Sequence, residues 1–339
     1  MNSGSYIARI PEGPPGLLKV SVTINDSHIR GSPFTLLRIP RDYSAISGPT
    51  SILHTSTFLN SCRMKGVATP EEGSPIDANK TAPWSRGFCL GQNAEYIFTD
   101  STSHGFHKVE NSTLCFSITK KGGQAGQFSS PKAVCCSAGK IFIADTQNHR
   151  IQVFYEKDGA FSYAFGSRGT RDGHFMSPSG VAFFLPKKLV VVADTMNHRV
   201  QVFHKQELQS KFGTRGSEPG QFNKPVGVAV NSKQEIIVSD SGNHRIQVFN
   251  SSGELLRLFG THGSKTGQFS TPCHVAIDSY DNIFVCDTNN GRVQVFDANG
   301  RHITSIDLRN RYPFGIDIDS DGKVFIAEFG VGGSFITVF

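Results

Sequence analysis

From about residue 82 onward, apolar and polar positions alternate over short runs. The stretch FIADTQNHRIQVF, residues 142–154, consists of two such runs around a polar corner. Each run is typical of a half-buried β-strand. Closely similar stretches follow at 191–203, 237–249 and 284–296. No window of comparable length places apolar residues at the 3.6 spacing of a helix. The pattern therefore predicts an all-β chain built from a repeat.

The repeat is long enough for four short strands, which we name a to d. The first strand of each repeated stretch ends in an Asp, and the steps between these Asp residues are 49, 46 and 47 residues. A second phrase precedes each stretch, for example GQFSSPKAV from Gly126, and opens strand a. Four strands in a period of about 40–50 residues are typical of a β-propeller blade.

Two less regular copies bring the expected number of blades to six. They cover residues 82–119 and 313–339, and in the last copy Glu328 replaces the Asp and Phe335 replaces the Arg. That copy has no strand d. We expect Ser51–Leu59 to supply it, because an open ring would leave unpaired sheet edges.

The residues before the repeats follow another pattern. Alternation from Leu18 to Ile24 predicts a strand, and a GSPF phrase at 31–34 opens another. Residues 41–81 are rich in Ser, Thr, Pro and Gly. We expect three parts: the last strands of a sandwich domain at 1–40, a linker with the closing strand at 41–81, and the propeller at 82–339.

Composition narrows the class of protein. No apolar run approaches the 18 residues of a membrane-spanning helix, and the first ten residues lack a secretory pattern. The seven cysteines are odd in number and contain no C-x-x-C pair, which argues against a disulfide framework and structural zinc. We expect a reduced, cytoplasmic protein with no cofactor, no metal and no membrane partner.

Charge is uneven between the two faces of the predicted ring. The chain carries 34 Lys and Arg against 28 Asp and Glu, a net charge of +6. The loops from strand d to the next strand a hold nine positive and three negative residues, a net of +6. The turns of the opposite face hold eight positive and ten negative residues, a net of −2. A basic d–a face indicates a polyanionic ligand.

Candidate binding residues lie where the repeat varies. Recurring residues are expected to be architecture: the Phe residues form the core, and each Asp with its Arg ties neighbouring blades. The residues around the recurring Pro vary and should surround the central opening. The candidates on this face are Trp84, Arg86, Lys132, Arg168, Arg215, Lys224, His274, Arg311, Tyr312 and Phe314.

Basic and aromatic side chains together favour single-stranded or structured RNA over duplex DNA, whose major groove requires a helix or ribbon. From the residues alone, a protein ligand is as well supported as RNA. A metal-dependent lyase remains a third class, but among the Pro-flanking positions only His274 offers a ligand. No catalytic or metal residue is assigned.

The corner Asn148-His149-Arg150 and its three relatives resemble the NHL repeat. The segment PEGPPGLLKVSVTINDSHIRGSPFTLLRI resembles the end of a filamin-type repeat. Together they resemble the filamin-bearing branch of the tripartite-motif (TRIM) NHL proteins. That resemblance implies repression of messenger RNAs in development, through recognition of a small RNA hairpin. It also implies a RING-containing ubiquitin ligase parent and protein partners from the repression or ubiquitin machinery. No RING, B-box or coiled coil is visible in this chain, so we expect no enzymatic activity of its own.

Overall fold

The computed structural model describes side chains in residues 87–91, 95–110, 113–308, 311–329 and 336–339. At 85–86, 330 and 333–335, and in three short strands, it describes the backbone. The chain divides into two units, 1–45 and 46–339. In the first unit, Thr23–Ile24 pairs antiparallel with Ser27–His28. The rest of the predicted filamin-type segment lies outside the described residues, as does most of the linker, so the two boundaries between the three predicted parts stay predictions.

The second unit contains six antiparallel sheets of four strands each, which confirms the six-bladed propeller. From strand a to strand d, the blades are Ser85–Leu90, Glu95–Asp100, Gly105–Glu110 and Thr113–Thr119 (blade 1); Val134–Ser137, Lys140–Asp145, Arg150–Tyr155 and Phe161–Phe165 (blade 2); Gly180–Phe184, Leu189–Asp194, Arg199–His204 and Glu207–Phe212 (blade 3); Pro225–Val230, Ile236–Asp240, Arg245–Phe249 and Leu255–Phe259 (blade 4); Pro272–Ile277, Ile283–Asp287, Arg292–Phe296 and His302–Asp307 (blade 5); Tyr312–Ile318, Val324–Gly330, Gly333–Val338 and Ser51–His54 (blade 6).

Short 3-10 turns form the b–c corners of the regular repeats and one a–b turn. They are Thr146–Asn148, Leu185–Lys187, Thr195–Asn197, Ser241–Asn243 and Thr288–Asn290. A two-residue parallel pair, Thr261–His262 with Gln268–Phe269, lies inside the d–a loop before blade 5.

A strand from the other end of the propeller completes blade 6. Ser51–His54 runs antiparallel to Gly333–Val338, with Ser51 opposite Val338 and His54 opposite Phe335. This strand lies within the span Ser51–Leu59 expected from the sequence, and residues 55–59 of that span lie outside the described part. This pairing gives the last blade its fourth strand and covers an edge that would otherwise be open.

Phenylalanine pairs fill the space between blades. The Phe of each GQF or GHF phrase is completely buried, for example Phe128 and Phe222. Each packs against the Phe that ends strand c, with ring centroids 5.6 Å apart for Phe128–Phe154 and 5.4 Å for Phe222–Phe249. Burial of such a side chain contributes about 1.5–3 kcal/mol. These residues are therefore core, as their recurrence predicts.

Glycine lets the inner strands approach one another at the axis. A Cβ on Gly180 would lie 2.3 Å from the carbonyl oxygen of Val226, and one on Gly227 would lie 2.3 Å from that of Cys273. Backbone atoms cannot move away from such a contact, so most blades have glycine at this position of strand a. We call the equivalent positions of the six strands a the glycine row. The six strands a enclose an axial channel with a cavity of about 190 Å³.

Candidate nucleic-acid interface

A buried carboxylate organises each regular blade beneath the d–a face. Asp145 is completely buried, and its Oδ2 accepts hydrogen bonds from Asn148 Nδ2 (2.9 Å), Arg150 Nε (2.8 Å) and Gln152 Nε2 (3.0 Å). Its Oδ1 accepts from the backbone N–H of Ser129 at 2.8 Å. The same arrangement recurs around Asp194, Asp240 and Asp287. Each Asp–Arg pair therefore fixes the d–a loop onto its own blade.

The ties between blades come from two other corner residues. His149 Nδ1 accepts a hydrogen bond from the backbone N–H of Ser177 in the next d–a loop, at 2.9 Å. Thr146 Oγ1 donates to the carbonyl oxygen of Pro178 at 2.8 Å. The expectation that Asp and Arg tie neighbouring blades is therefore wrong, because both of their groups are used inside one repeat.

The mouth of the channel on the d–a face brings three of the predicted residues together. Lys132, His274 and Phe314 line one cavity of about 100 Å³, and Ser179, Val226 and Cys273 complete most of its wall. Lys132 is half-buried, and its Nζ donates to Ser179 Oγ at 3.3 Å. An ammonium, an aromatic ring and an apolar wall thus meet where the strands a begin.

Four other predicted residues lie on the d–a loops or at the start of a strand a. Lys224 is exposed and adopts a left-handed backbone with φ 54°. Its N–H donates to His198 Nδ1 at 3.1 Å. Tyr312 is 44% exposed, which leaves a ring surface open for stacking. Arg168 and Arg215 are exposed.

Two predicted residues serve the fold. Arg311 Nη1 donates to Glu328 Oε1 at 2.7 Å, so its charge neutralises a buried carboxylate. His274 stands in the glycine row and lines the channel, where its Nδ1 accepts from Ile316 N–H at 3.4 Å. Burial lowers the pKa of His274 to about 4, so the ring is neutral at neutral pH.

In the sequence, Pro83 is the residue of blade 1 that matches the recurring Pro, but the strand register places another residue at that position. Ser85 pairs with Asp100, as Pro225 pairs with Asp240 in blade 4. Ser85 therefore occupies the position of the recurring Pro, and Arg86 occupies the position of Lys132. Trp84, the residue before Ser85, lies outside the described residues.

The candidate set omitted two residues that match Arg168 and Arg215. Lys121 and His262 occupy the same position of their d–a loops, directly before a glycine. Like Arg168 and Arg215, each forms a parallel β-bridge with the buried Phe of its loop. The signal in the sequence is their shared position directly before that glycine.

Comparison with known proteins shows which proteins this chain resembles in sequence. The family model of the NHL repeat matches residues 128–154, 175–203, 222–249 and 269–296. Protein brain tumor of Drosophila melanogaster is 45% identical over 62 residues, which are 18% of this chain and 6% of that protein. Tripartite motif-containing protein 2 of Mus musculus is 31% identical over 164 residues, 48% of this chain and 18% of that protein. The chain thus spans less than a fifth of the length of these relatives.

Solved structures share the fold. A streptogramin B lyase superposes with a TM-score of 0.57 at 11% identity, covering 76% of this chain and 94% of the lyase. The WD40 propeller domain of Doa1 gives 0.56 at 13% identity, covering 75% of this chain and 77% of that domain. At such identities the likeness concerns architecture alone.

The fold and its corners define a six-bladed β-propeller in which four blades carry NHL repeats. Its four matched NHL repeats and its similarity to the two proteins above relate the chain to the TRIM–NHL proteins. Within the described residues, no group of three His, Cys, Asp or Glu side chains could hold a metal ion. Nor does the described part contain a helix of the length and apolarity needed to cross a membrane.

Proposed function

We propose that the d–a face of the propeller binds RNA, and that the protein acts through this face in repression of messenger RNAs in the cytoplasm. The observation that carries the proposal is the channel mouth, where Lys132 and Phe314 share one cavity. The exposed Lys224 and Tyr312 lie on the same face.

These groups match the two kinds of contact that RNA offers. Ammonium and guanidinium groups neutralise phosphates, and aromatic faces stack on bases, at about 1–3 kcal/mol per base. The proposed contacts at the mouth and rim come from Lys132, Lys224, Tyr312, Phe314, Arg168 and Arg215, with Arg86 placed by its register position. Arg311 and His274 are better explained by the fold, through Glu328 and the channel.

Affinity and melting measurements on a small set of variants test the proposal. We expect Lys132→Ala and Lys224→Ala each to weaken all RNAs to a similar degree. Each should also reduce the salt dependence of binding by the log–log slope of one phosphate, about 0.7. Tyr312→Ala should weaken RNAs unequally, with the greatest loss for those that present an unpaired base to stack.

The opposite face provides the matched control. Lys187 and Lys188 are both exposed. The double variant Lys187→Glu with Lys188→Glu therefore removes more positive charge than Lys132→Ala or Lys224→Ala does, and it leaves the d–a face unchanged. We expect that control to change RNA affinity little. Wild-type affinity in the Lys132, Lys224 and Tyr312 triple variant, with an unchanged melting temperature, would overturn the proposal.

The second candidate is a protein-interaction platform, such as the substrate receptor of a RING-containing parent. The apolar part of the mouth, Val226, Cys273 and Phe314, would suit an apolar anchor of a protein ligand. Binding through such an anchor should respond little to salt, whereas RNA binding should weaken steeply. Selection of random RNA against the propeller, with sequence and pairing of the selected molecules as the readout, separates the two.

A further inference from the structure

Each corner histidine of blades 1 to 4 interacts with a basic residue of the following d–a loop. Burial, and then the charge of Lys121, Arg168 or Arg215, lowers the pKa of the corner histidines His104, His149 and His198 of blades 1, 2 and 3, respectively. In blade 4 the corner residue is His244, and its neighbour is a second histidine, His262, whose ring centroid lies 4.4 Å away. One of four equivalent pairs therefore has a titratable residue where the other three have a permanent cation.

The fold fixes the tautomer of His244. Its Nδ1 accepts a hydrogen bond from the backbone N–H of Thr271 at 3.0 Å, so Nε2 carries the proton of the neutral ring. His244 is half-buried and His262 is exposed, so an anion can reach the pair from solvent. Burial, and then the adjacent His262, hold the pKa of His244 below its usual range.

The charged groups around the pair are already neutralised within the fold. Asp240 and Asp287 are the carboxylates that act on His244. Asp240 Oδ2 accepts from Arg245 Nε and Asp287 Oδ2 from Arg292 Nε, both at 2.8 Å. Neither carboxylate is therefore available as a new counter-charge for an imidazolium, and an external anion would be the stabilising partner.

We propose that the His244–His262 pair is a phosphodiester-binding subsite that takes up a proton when it is filled. The neutral pair offers a fixed N–H donor, and protonation converts it into the cation that Lys121, Arg168 and Arg215 supply at the equivalent positions. This inference rests on the proposed function, since it assigns one backbone phosphate of the bound RNA to these rings. Affinity for RNA therefore rises as the pH falls.

Substitution within the repeat gives a symmetric test. RNA affinity is measured from pH 5.5 to pH 8.0 at constant ionic strength for the wild type, His262→Arg, His262→Gln and Arg215→His. Uptake of one proton changes affinity by up to about tenfold per pH unit. We expect the wild type to lose affinity towards pH 8.0, and His262→Arg to lose most of this dependence and bind more tightly at pH 8.0.

The other two variants separate charge from packing. His262→Gln should bind as weakly at pH 5.5 as the wild type does at pH 8.0, and Arg215→His should make the pH dependence steeper by creating a second histidine pair. Melting temperatures at both pH values exclude unfolding as the cause. Equal pH dependence in the wild type, His262→Arg and His262→Gln, with RNA still bound, overturns this subsite alone. Absence of RNA binding at every pH overturns the proposed function as well.

Discussion

Blades 4 and 6 each bury a carboxylate, and different residues neutralise it in the two blades. In blade 4, Asp240 Oδ2 accepts from Asn243, Arg245 and Gln247 of its own repeat. In blade 6, Glu328 occupies that position, and Arg311 from the preceding d–a loop and Thr337 from strand c donate to its Oε1. Its Oε2 has no hydrogen-bond partner among the described residues. What the architecture requires is thus a neutralised carboxylate, and the element that supplies the guanidinium can change.

The two blades also differ at the axis. Ala229 of blade 4 lines the channel where blade 6 places Asp317. Asp317 Oδ2 accepts from Leu90 N–H at 2.9 Å and Oδ1 from Ile318 N–H at 2.9 Å. Burial raises the pKa of this carboxyl to about 6. Blade 6 thus adds a polar link from its strand a to that of blade 1, which the apolar Ala229 cannot form in blade 4.

The largest expected effect is on closure. A chain that begins at Lys80 lacks the strand Ser51–His54, so Gly333–Val338 becomes an open edge and the ring loses its last sheet partner. We expect its melting temperature to fall by on the order of 10 °C or more relative to a chain that begins at Tyr43. Equal melting temperatures for the two chains would show that the ring holds without this strand.

Removing the guanidinium from each type of blade comes next in size. Arg245→Ala leaves the buried Asp240 without its counter-charge and should destabilise the protein by about 3–5 kcal/mol. Arg311 has a side chain 31% exposed, against 10% for Arg245, so water can replace part of its role. We expect Arg311→Ala to cost about 1–2 kcal/mol in the free energy of unfolding. Denaturant unfolding of both variants measures the two losses in the free energy of unfolding. A larger loss for Arg311→Ala than for Arg245→Ala would contradict this prediction.

The axial carboxyl gives a pH-dependent effect of about 3 kcal/mol in the free energy of unfolding. Asp317 has a folded pKa of about 6 and an unfolded pKa of about 3.9. Its contribution to stability is therefore fully present below pH 4 and is lost as the pH rises through 6. Asp317→Asn should stabilise the protein at pH 8 and give no gain at pH 4. Ala229→Asn, at the equivalent position of blade 4, is the control and should show no such pH dependence.

The smallest effect concerns the ties between blades. His198→Asn keeps a residue that tolerates the left-handed conformation but removes the ring that accepts from Lys224 N–H. We expect a loss of about 1 kcal/mol. The corner that faces blade 6 has Gly291 in place of the histidine, so no such bond exists there, and Gly291→Asn should be close to neutral. Thermal melting of the His198→Asn and Gly291→Asn variants checks this prediction. Equal losses of stability in the two variants would show that the histidine hydrogen bond does not stabilise the ring.

The periodic residues made most of the fold predictable. The Asp-to-Asp steps gave the blade length, and the missing strand d pointed to Ser51 as the start of the closing strand. Blade 1 was less predictable, because its Pro83 lies two residues before Ser85, the residue that pairs with Asp100. The proline suggests one register for this strand, and the backbone pairing shows another.

The site was less predictable because its decisive contacts join different elements of the fold. Nothing in the local sequence shows that Arg311 meets Glu328, or that His274 turns into the channel. The His244–His262 contact likewise joins residues of a corner and of the next loop. Such contacts depend on how the chain returns to the axis in each blade, whereas the recurring Phe and Asp contacts are repeated within every period.

Closure by Ser51–His54 also has a consequence for biosynthesis. The strand emerges from the ribosome before any blade, yet its partner Gly333–Val338 is translated after all the other strands. Until then, the early strand and each newly made sheet edge remain unsatisfied, and contacts of such high sequence separation form slowly. We therefore expect the nascent chain to be prone to pairing with other chains, and the propeller to become resistant to proteolysis only when Gly333–Val338 has paired with Ser51–His54.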